Sequence, residues 1–269
     1  MSKRRVCIIG NSHVAALRSG LDLLPELNQG FTFDFFAAQR DWMRAMELRG
    51  TMLVPTSDIT REKIALHSGG IEHIDVRSYD HFLITGLGFG VCGPGFISPF
   101  SAFKKYRIAA YAGLLERESS YISRACFAAL TASILRNSTA LYLARLLRSV
   151  SDARIVIVPT PYPSEEILNS EDGEFWKRAV ERGAWNYAIA LFTQMAAKTV
   201  SDAGCEILFQ PSDTLAHDSF TKAKFSHGSI RLSADLNLEH SPSEPFHMNA
   251  LYGAELLKRY CELTGPWRS

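Results

Sequence analysis

The sequence predicts an α/β fold with a mostly parallel sheet that is covered by helices on both faces. Two observations support this prediction. Short apolar runs resembling buried strands recur along the chain, and longer segments with helical periodicity lie between them. The predicted strands are Val6–Ile9, Phe31–Phe36, His81–Thr85, Arg154–Pro159 and Glu206–Gln210. The predicted helices are Val14–Leu24, Tyr121–Val150, Phe175–Ala203 (followed by Gly204 at its C′ position) and Ala250–Leu263.

Composition is ordinary for a soluble globular protein. The chain has 269 residues, a formal net charge of +1, 46% hydrophobic residues and 21% charged residues. This balance gives no reason to expect nucleic acid as a partner, and no apolar stretch has the length of a membrane-spanning helix. The apolar run after the cationic N-terminus is too short for a signal peptide, so we expect a cytoplasmic protein. The five cysteines include no CxxC pair, and we expect them to be buried free thiols.

One long segment interrupts the alternation of strands and helices. A glycine-rich loop at 86–95 leads into Phe96–Arg148, which is too long for a simple crossover. We therefore expect one domain over residues 1–269 with a helical cap inserted at about 96–150. Basic residues outnumber acidic ones in the inserted segment. This bias indicates either a solvated helix face or a cationic wall that attracts an anionic substrate or partner. The acidic residues of the segment are Glu116 and Glu118, and its basic residues are Lys104, Lys105, Arg107, Arg117, Arg124, Arg136, Arg145 and Arg148.

A serine follows the first predicted strand at the start of the first helix. Gly10 allows a sharp turn, and Ser12 then lies where open α/β sheets bind their ligands. The helix N-terminus offers free N–H groups to a developing negative charge. Two interpretations stand side by side: Ser12 is a nucleophile that needs a neighbouring base, or Ser12 or Asn11 simply caps the helix.

A histidine near the other end of the chain is the natural base. His247 lies just before the last helix, and Glu244, three residues earlier, is placed to orient its ring. Asp235 and Glu239 are alternative acids. The plainer interpretation is a surface histidine without a role. Asn249 is expected to tie the loop to the last helix.

Together the two ends resemble the SGNH (GDSL-like) hydrolases. The segment Gly10-Asn11-Ser12-His13 is similar to their first block, and Glu244-x-x-His247-x-Asn249 with Tyr252-Gly253 is similar to their last. The resemblance implies a flavodoxin-like three-layer α/β/α sandwich and a serine esterase. In such an enzyme Ser12 attacks a small acylated substrate, His247 acts as base and then acid, and Glu244 is the acid partner. The same chemistry serves an acyltransferase, and a non-catalytic binding protein of the same descent is a further alternative.

The two middle blocks of the family are altered in this chain. Where the second block carries a glycine, Ala38 and Gln39 follow the second strand, and either could offer a backbone N–H. Where the third block carries an asparagine, Gly88 follows Gly86. We expect the oxyanion and substrate-binding site to be lined by Gly86, Gly88, Ala38, Gln39 and Asn11.

Other site classes are disfavoured, and we expect neither a metal nor a cofactor. Three histidines (His217, His227, His240) share the irregular 211–245 stretch with acidic residues, but none has the spacing of a zinc ligand pair. The glycine-rich loop lacks the Gly-Lys-Ser/Thr of a P-loop, and the first turn lacks the further glycines of a dinucleotide site. Phe220, Phe225 and Tyr162 are candidates for an apolar or sugar-stacking surface.

Overall fold

The computed structural model describes residues 3–92, 106–107, 120–171, 173–217, 219–233 and 238–265. A five-stranded sheet lies at its centre, and all four strand pairings in it are parallel. Numbered by their order along the chain within this sheet, the strands lie 2-1-3-4-5, which is the flavodoxin-like order. The strands are β1 (Arg4–Gly10), β2 (Phe31–Ala37), β6 (His81–Thr85), β9 (Arg154–Val158) and β10 (Glu206–Ile207).

Helices cover both faces of this sheet. Alternate residues of β1 point to opposite sides: Val6 and Ile8 belong to one buried cluster, Cys7 and Ile9 to the other. The described helices are α1 (Val14–Leu21), α2 (Asp58–His67), α3 (Arg124–Arg136), α4 (Thr139–Arg148), α5 (Gly173–Glu181), α6 (Ala184–Asp202) and α7 (Ala250–Thr264). Residues of α1 and α7 pack with the first cluster, and residues of α3, α4 and α6 pack with the second. The three-layer α/β/α prediction is therefore confirmed.

Small secondary elements complete the described chain. A three-stranded antiparallel sheet is formed by β3 (Met46–Arg49), β4 (Met52–Pro55) and β5 (Ile74–Asp75). Neither this sheet nor α2 was among the predicted elements. The remaining strands are β7 (Tyr106–Arg107), β8 (Ser120–Tyr121), β11 (Leu215–Ala216) and β12 (Phe220–Thr221).

Two predicted long helices are each interrupted. The first breaks between α3 and α4, where the Ser138 hydroxyl accepts a hydrogen bond from the N–H of Leu141 and starts a new helix. The second breaks at Gly183, whose φ of 69° lies in the left-handed region. It then ends as predicted, because Gly204 with φ 67° and the N–H of Cys205 donating to Val200 form a Schellman motif.

Part of the predicted cap lies outside the described residues, which omit 93–105 and 108–119. Its C-terminal part is described: Leu141, Leu143 and Leu147 of α4 are buried in the cluster that covers the sheet. That helix therefore belongs to the sandwich layer. Phe127 and Leu135 of α3 are buried in the same cluster, so the cap remains a prediction only for the part of the segment before α3.

The backbones of helices α1 and α7 are in direct contact. A Cβ on Gly253 would collide with the carbonyl of Ala16, and a Cβ on Gly20 would collide with the backbone of Ala254. This contact brings together the helix that follows Ser12 and the helix that follows His247.

Among the described residues, none of the helices combines the length and the apolar character that a membrane span requires. All five cysteines are free, but Cys126 is exposed and Cys205 is half-buried, so the expectation of buried thiols holds only for the other three.

Candidate active site

Folding brings Ser12 and His247 into direct contact. Ser12 lies two residues after β1 and two before α1, and His247 lies three residues before α7. The Ser12 hydroxyl and Nε2 of His247 are 2.9 Å apart, although 235 positions separate the residues in the chain. The site lies at the carboxyl ends of β1 and β6, the topological switch point at which open α/β sheets bind ligands.

The capping alternative does not explain Ser12. No side chain caps the start of α1. The side-chain oxygen of Asn11 instead accepts the N–H of His13 at 3.4 Å, which stabilises the turn after β1. The Ser12 hydroxyl is thereby left to face His247. The backbone N–H of Ser12 has no hydrogen-bond partner among the described residues.

The loop after β6 takes an uncommon backbone conformation. Gly86, Leu87 and Gly88 have φ values of 70°, 54° and 74°, and the N–H of Phe89 donates to the Gly86 carbonyl. Positive φ at both central residues is the pattern of a type I′ turn. Leu87 is not a glycine, so this turn stores backbone strain of the kind that accumulates at functional sites.

Glu244 lies beside His247 but does not form a tight bond with it. Its Oε1 is 3.5 Å from Nδ1 of His247, which is longer than a well-formed hydrogen bond, so the attraction is mainly electrostatic. The same oxygen accepts the N–H of Phe246 at 2.8 Å. Contact with the His247 ring, and then the Phe246 N–H, hold the pKa of Glu244 below its ordinary value against the opposing effect of burial.

The His247 segment is tied down on both sides. The Asn249 side chain accepts the N–H groups of Leu251 and Tyr252 at the start of α7 and donates to the carbonyls of Lys224 and His227. This supports the predicted role of Asn249 as the link between loop and helix. On the other side, the N–H of Ser164 donates to the Pro245 carbonyl at 2.7 Å. His247 is therefore held by a network of hydrogen bonds rather than by a free loop.

Two further imidazole rings lie nearly parallel to that of His247. The His240 ring stacks on it with centroids 3.9 Å apart and a plane angle of 14°. The His13 ring lies at 5.3 Å and 21°. Burial, and then the neighbouring His247, lower the pKa of His13 to about 3 and that of His240 to about 4. Both flanking rings are therefore neutral at pH 7.

The predicted oxyanion donors behave differently from one another. The N–H of Ala38 is already bonded to the Gly10 carbonyl at 3.3 Å, so the expectation that it serves as a donor needs correction. The N–H groups of Gln39 and Gly88 have no partner among the residues described, while the Gln39 side chain donates to the Leu232 carbonyl. Next to Gln39, Arg40 takes a left-handed φ of 57°, a conformation that favours glycine.

Several other candidates lie elsewhere or have structural roles. Asp235 is outside the described residues, and Glu239 is exposed. Phe220 and Phe225 are buried, so they belong to the core and not to a stacking surface. Within the described ranges, no three histidine, cysteine or acidic side chains are grouped as a metal site would require. His227 pairs instead with Glu166 at 2.7 Å.

Three of the four arginines of the cationic segment whose side chains are described have local partners. Arg145 donates to the carbonyl of Arg136 at the end of α3, and Arg148 donates to that of Gly204. Arg124 lies over the ring of Tyr187. These contacts favour the interpretation of a structural helix surface over that of a cationic wall. The charges outside the described side chains are Lys104, Lys105, Arg107, Arg117, Glu116 and Glu118.

Comparisons with known proteins give little beyond this geometry. No family model and no curated protein sequence matches the chain. Among solved structures, the chain is similar to the periplasmic domain of a lipopolysaccharide acetyltransferase from Salmonella ser. Paratyphi A, with 12% sequence identity and a TM-score of 0.49. The alignment covers 98% of this chain and 84% of that chain. The site is therefore assigned from the chain's own residues.

Proposed function

We propose that this protein is a serine hydrolase that cleaves the ester bond of a small acylated substrate through an acyl-enzyme on Ser12. One observation carries the proposal: the 2.9 Å contact between the Ser12 hydroxyl and Nε2 of His247. A serine hydroxyl becomes a useful nucleophile when a positioned base can remove its proton. The resemblance of the first and last motifs to the SGNH hydrolases supports the same conclusion.

The geometry supports the following sequence of proton movements. As Oγ of Ser12 bonds to the ester carbonyl carbon, Nε2 of His247 takes the hydroxyl proton. The imidazolium then gives that proton to the departing alkoxide as the C–O bond of the ester breaks. Water attacks the acyl-enzyme by the same route in reverse, and the acid is released with Ser12 restored. Glu244 places its negative charge 3.5 Å from Nδ1 of the ring that carries the proton in this step.

Backbone N–H groups are the proposed oxyanion donors. Those of Ser12, Gly88 and Gln39 are unbonded in the described structure. No asparagine side chain stands at position 88 to add a donor. Loss of one such donor raises the barrier of a serine hydrolase by about 2.7–4 kcal/mol. We therefore propose an active but slow esterase.

A fluorophosphonate probe tests the nucleophile directly. The wild-type protein should be labelled, and mass spectrometry should place the label on Ser12. Labelling should disappear in Ser12→Ala and in His247→Ala, whereas Ser19→Ala, which alters another serine of α1, should label normally. Label retained by folded Ser12→Ala, or no label on the folded wild-type protein, would reject the proposal.

Product analysis then separates hydrolysis from acyl transfer. Esters of p-nitrophenol with different acyl lengths, tested beside acetylated sugars, give the acyl preference. A hydrolase releases the free acid whether or not a sugar hydroxyl is present. Conversion of most of the acyl group into an acylated sugar would replace the hydrolase proposal with an acyltransferase that uses the same Ser12 intermediate.

A further inference from the structure

The ring of His240 lies flat on that of His247, the proposed base. The centroid separation of 3.9 Å and the plane angle of 14° describe a close parallel stack. Such contact requires that both rings be held, because a free side chain loses entropy on stacking. His240 is held by its backbone: its N–H donates to the Ser229 carbonyl at 2.8 Å, and Arg231 donates to Leu238 at 2.7 Å.

Nε2 of His240 forms no hydrogen bond to the described residues that would hold the ring in this position. This nitrogen is also buried. A buried ring nitrogen without a partner costs free energy, so hydrogen bonding through that atom does not account for the position of the ring. What the ring offers is its flat face against the face of His247.

The base needs such support. Glu244 approaches Nδ1 of His247 only to 3.5 Å, so it fixes the ring weakly. The ring must nevertheless keep Nε2 aimed at Ser12 while it gains and loses a proton. The groups that face it are Ser12, His13, Glu244 and His240. Of these, His240 has the largest and closest parallel contact.

We propose that His240 is a positioning residue, whose flat ring packs on His247 and keeps Nε2 of that base directed at Ser12. The kinetic consequence rests on the proposed function, whereas the contact itself does not. The proposed role depends on a flat, uncharged ring. Another flat ring should therefore be able to replace that of His240. Because burial keeps the pKa of His240 at about 4, a neutral replacement reproduces its charge at pH 7.

Three substitutions separate ring shape from the other properties of His240. His240→Phe keeps a flat ring, His240→Leu fills the space without one, and His240→Ala removes both. His73→Ala is the control, because His73 is exposed and lies outside the site. We expect kcat for ester cleavage and the rate of fluorophosphonate labelling to fall about 2- to 10-fold in the Ala and Leu variants, as loss of a ring stack predicts. KM should change little, and the Phe variant should recover most of the loss.

Nuclear magnetic resonance of the His247 ring gives a readout that does not depend on activity. A ring stacked at 3.9 Å shifts the His247 carbon-bound protons upfield by its ring current. That shift should be lost in His240→Ala and His240→Leu and kept in His240→Phe. Comparison of the Phe and Leu variants keeps the test valid if the Ala variant does not fold.

The outcomes distinguish the two proposals. Equal losses in the Phe and Leu variants, or no loss in either, would overturn the positioning role, and an unchanged His247 spectrum in His240→Leu would overturn the stack. Full activity in Ser12→Ala would instead reject the proposed nucleophile. In that case the spectra would still decide whether His240 holds His247.

Discussion

Gly86 lies so close to Asn11 that a Cβ at position 86 would stand 2.5 Å from the Asn11 side-chain oxygen and 2.8 Å from Cδ2 of His13. The loop after β6 thus packs directly on the turn that carries Ser12. The close contact and the φ of 70° each favour glycine at position 86.

Gly86→Ala should therefore damage the site as well as the fold. The added methyl group must push Asn11 and His13 away and displace Ser12 from His247, so we expect loss of at least 10-fold in kcat. Gly69→Ala is a matched control: its φ is 64°, and no atom lies within 4 Å of the added Cβ. Both variants should lose about 1 kcal/mol in the free energy of unfolding, measured with urea, because alanine is strained at these positive φ angles. Equal activity in the two variants would contradict the contact.

Gly253→Ala should destabilise the protein even though the residue is in a helix. In a helix interior, Gly to Ala ordinarily stabilises by about 1 kcal/mol. Here the methyl group meets the Ala16 carbonyl of α1, so we expect a loss of about 2–3 kcal/mol in the free energy of unfolding. Lys258→Ala, on the exposed face of the same helix, is the control and should change stability by less than about 0.5 kcal/mol. A stabilised Gly253→Ala protein would rule out the close helix contact.

Glu244→Gln should reduce activity only moderately. The amide oxygen can still accept the Phe246 N–H, so the loop should keep its shape, but the negative charge beside His247 is lost. Because the Nδ1 contact is 3.5 Å, we expect kcat to fall about 10-fold, well short of the about 10⁴-fold loss known for a tightly bonded triad acid. The control is Glu239→Gln, at an exposed position. A loss near 10⁴-fold would mean that the contact tightens in the substrate complex.

Stability should fall as the pH is lowered from about 6.5 to 4. The pKa values of His13 and His240 lie near 3 and 4 in the folded protein, below the ordinary 6.5, so the unfolded chain binds more protons in this window. Each group contributes a slope of up to about 1.4 kcal/mol per pH unit. Buried His67 and partly buried His81, whose pKa values are also lowered by burial, add to it.

Urea unfolding between pH 7 and pH 4.5 measures this slope. His240→Phe should reduce it by removing one of the contributing groups, while the exposed His73→Ala control should retain it. An unchanged slope in His240→Phe would show that its imidazole takes up no proton on unfolding in this window.

Sequence patterns predicted several of the features whose signals are local, but not all of them. The apolar run before Gly10 indicated β1, and the motif around His247 indicated a histidine just before the last helix. The breaks in the two long helices also have local signals, a capping serine at Ser138 and a left-handed glycine at Gly183, but they were not predicted. Their signal was hidden by apolar periodicity that continues on both sides of each break.

Other features depend on distant contacts and could not be predicted in this way. Ala38 was placed among the donors because it follows β2, but only the register between β1 and β2 shows its N–H bonded to Gly10. The stack of His240 on His247 joins residues separated by an irregular loop without periodicity. Strand β10 ends at Ile207, short of the predicted Gln210, because only two of its residues pair with β9.

The glycine contact between α1 and α7 has a consequence for how such a protein can change over time. Spacing between the hydroxyl and the imidazole is set by two helices that are in direct contact and by a few contacts from Ser164, Asn249 and His240, not by most of the residues in between. Other surface loops can then lengthen, shorten or exchange sequence with little effect on Ser12 and His247. Under the proposed function, substrate preference is thereby free to diverge while the chemistry stays the same.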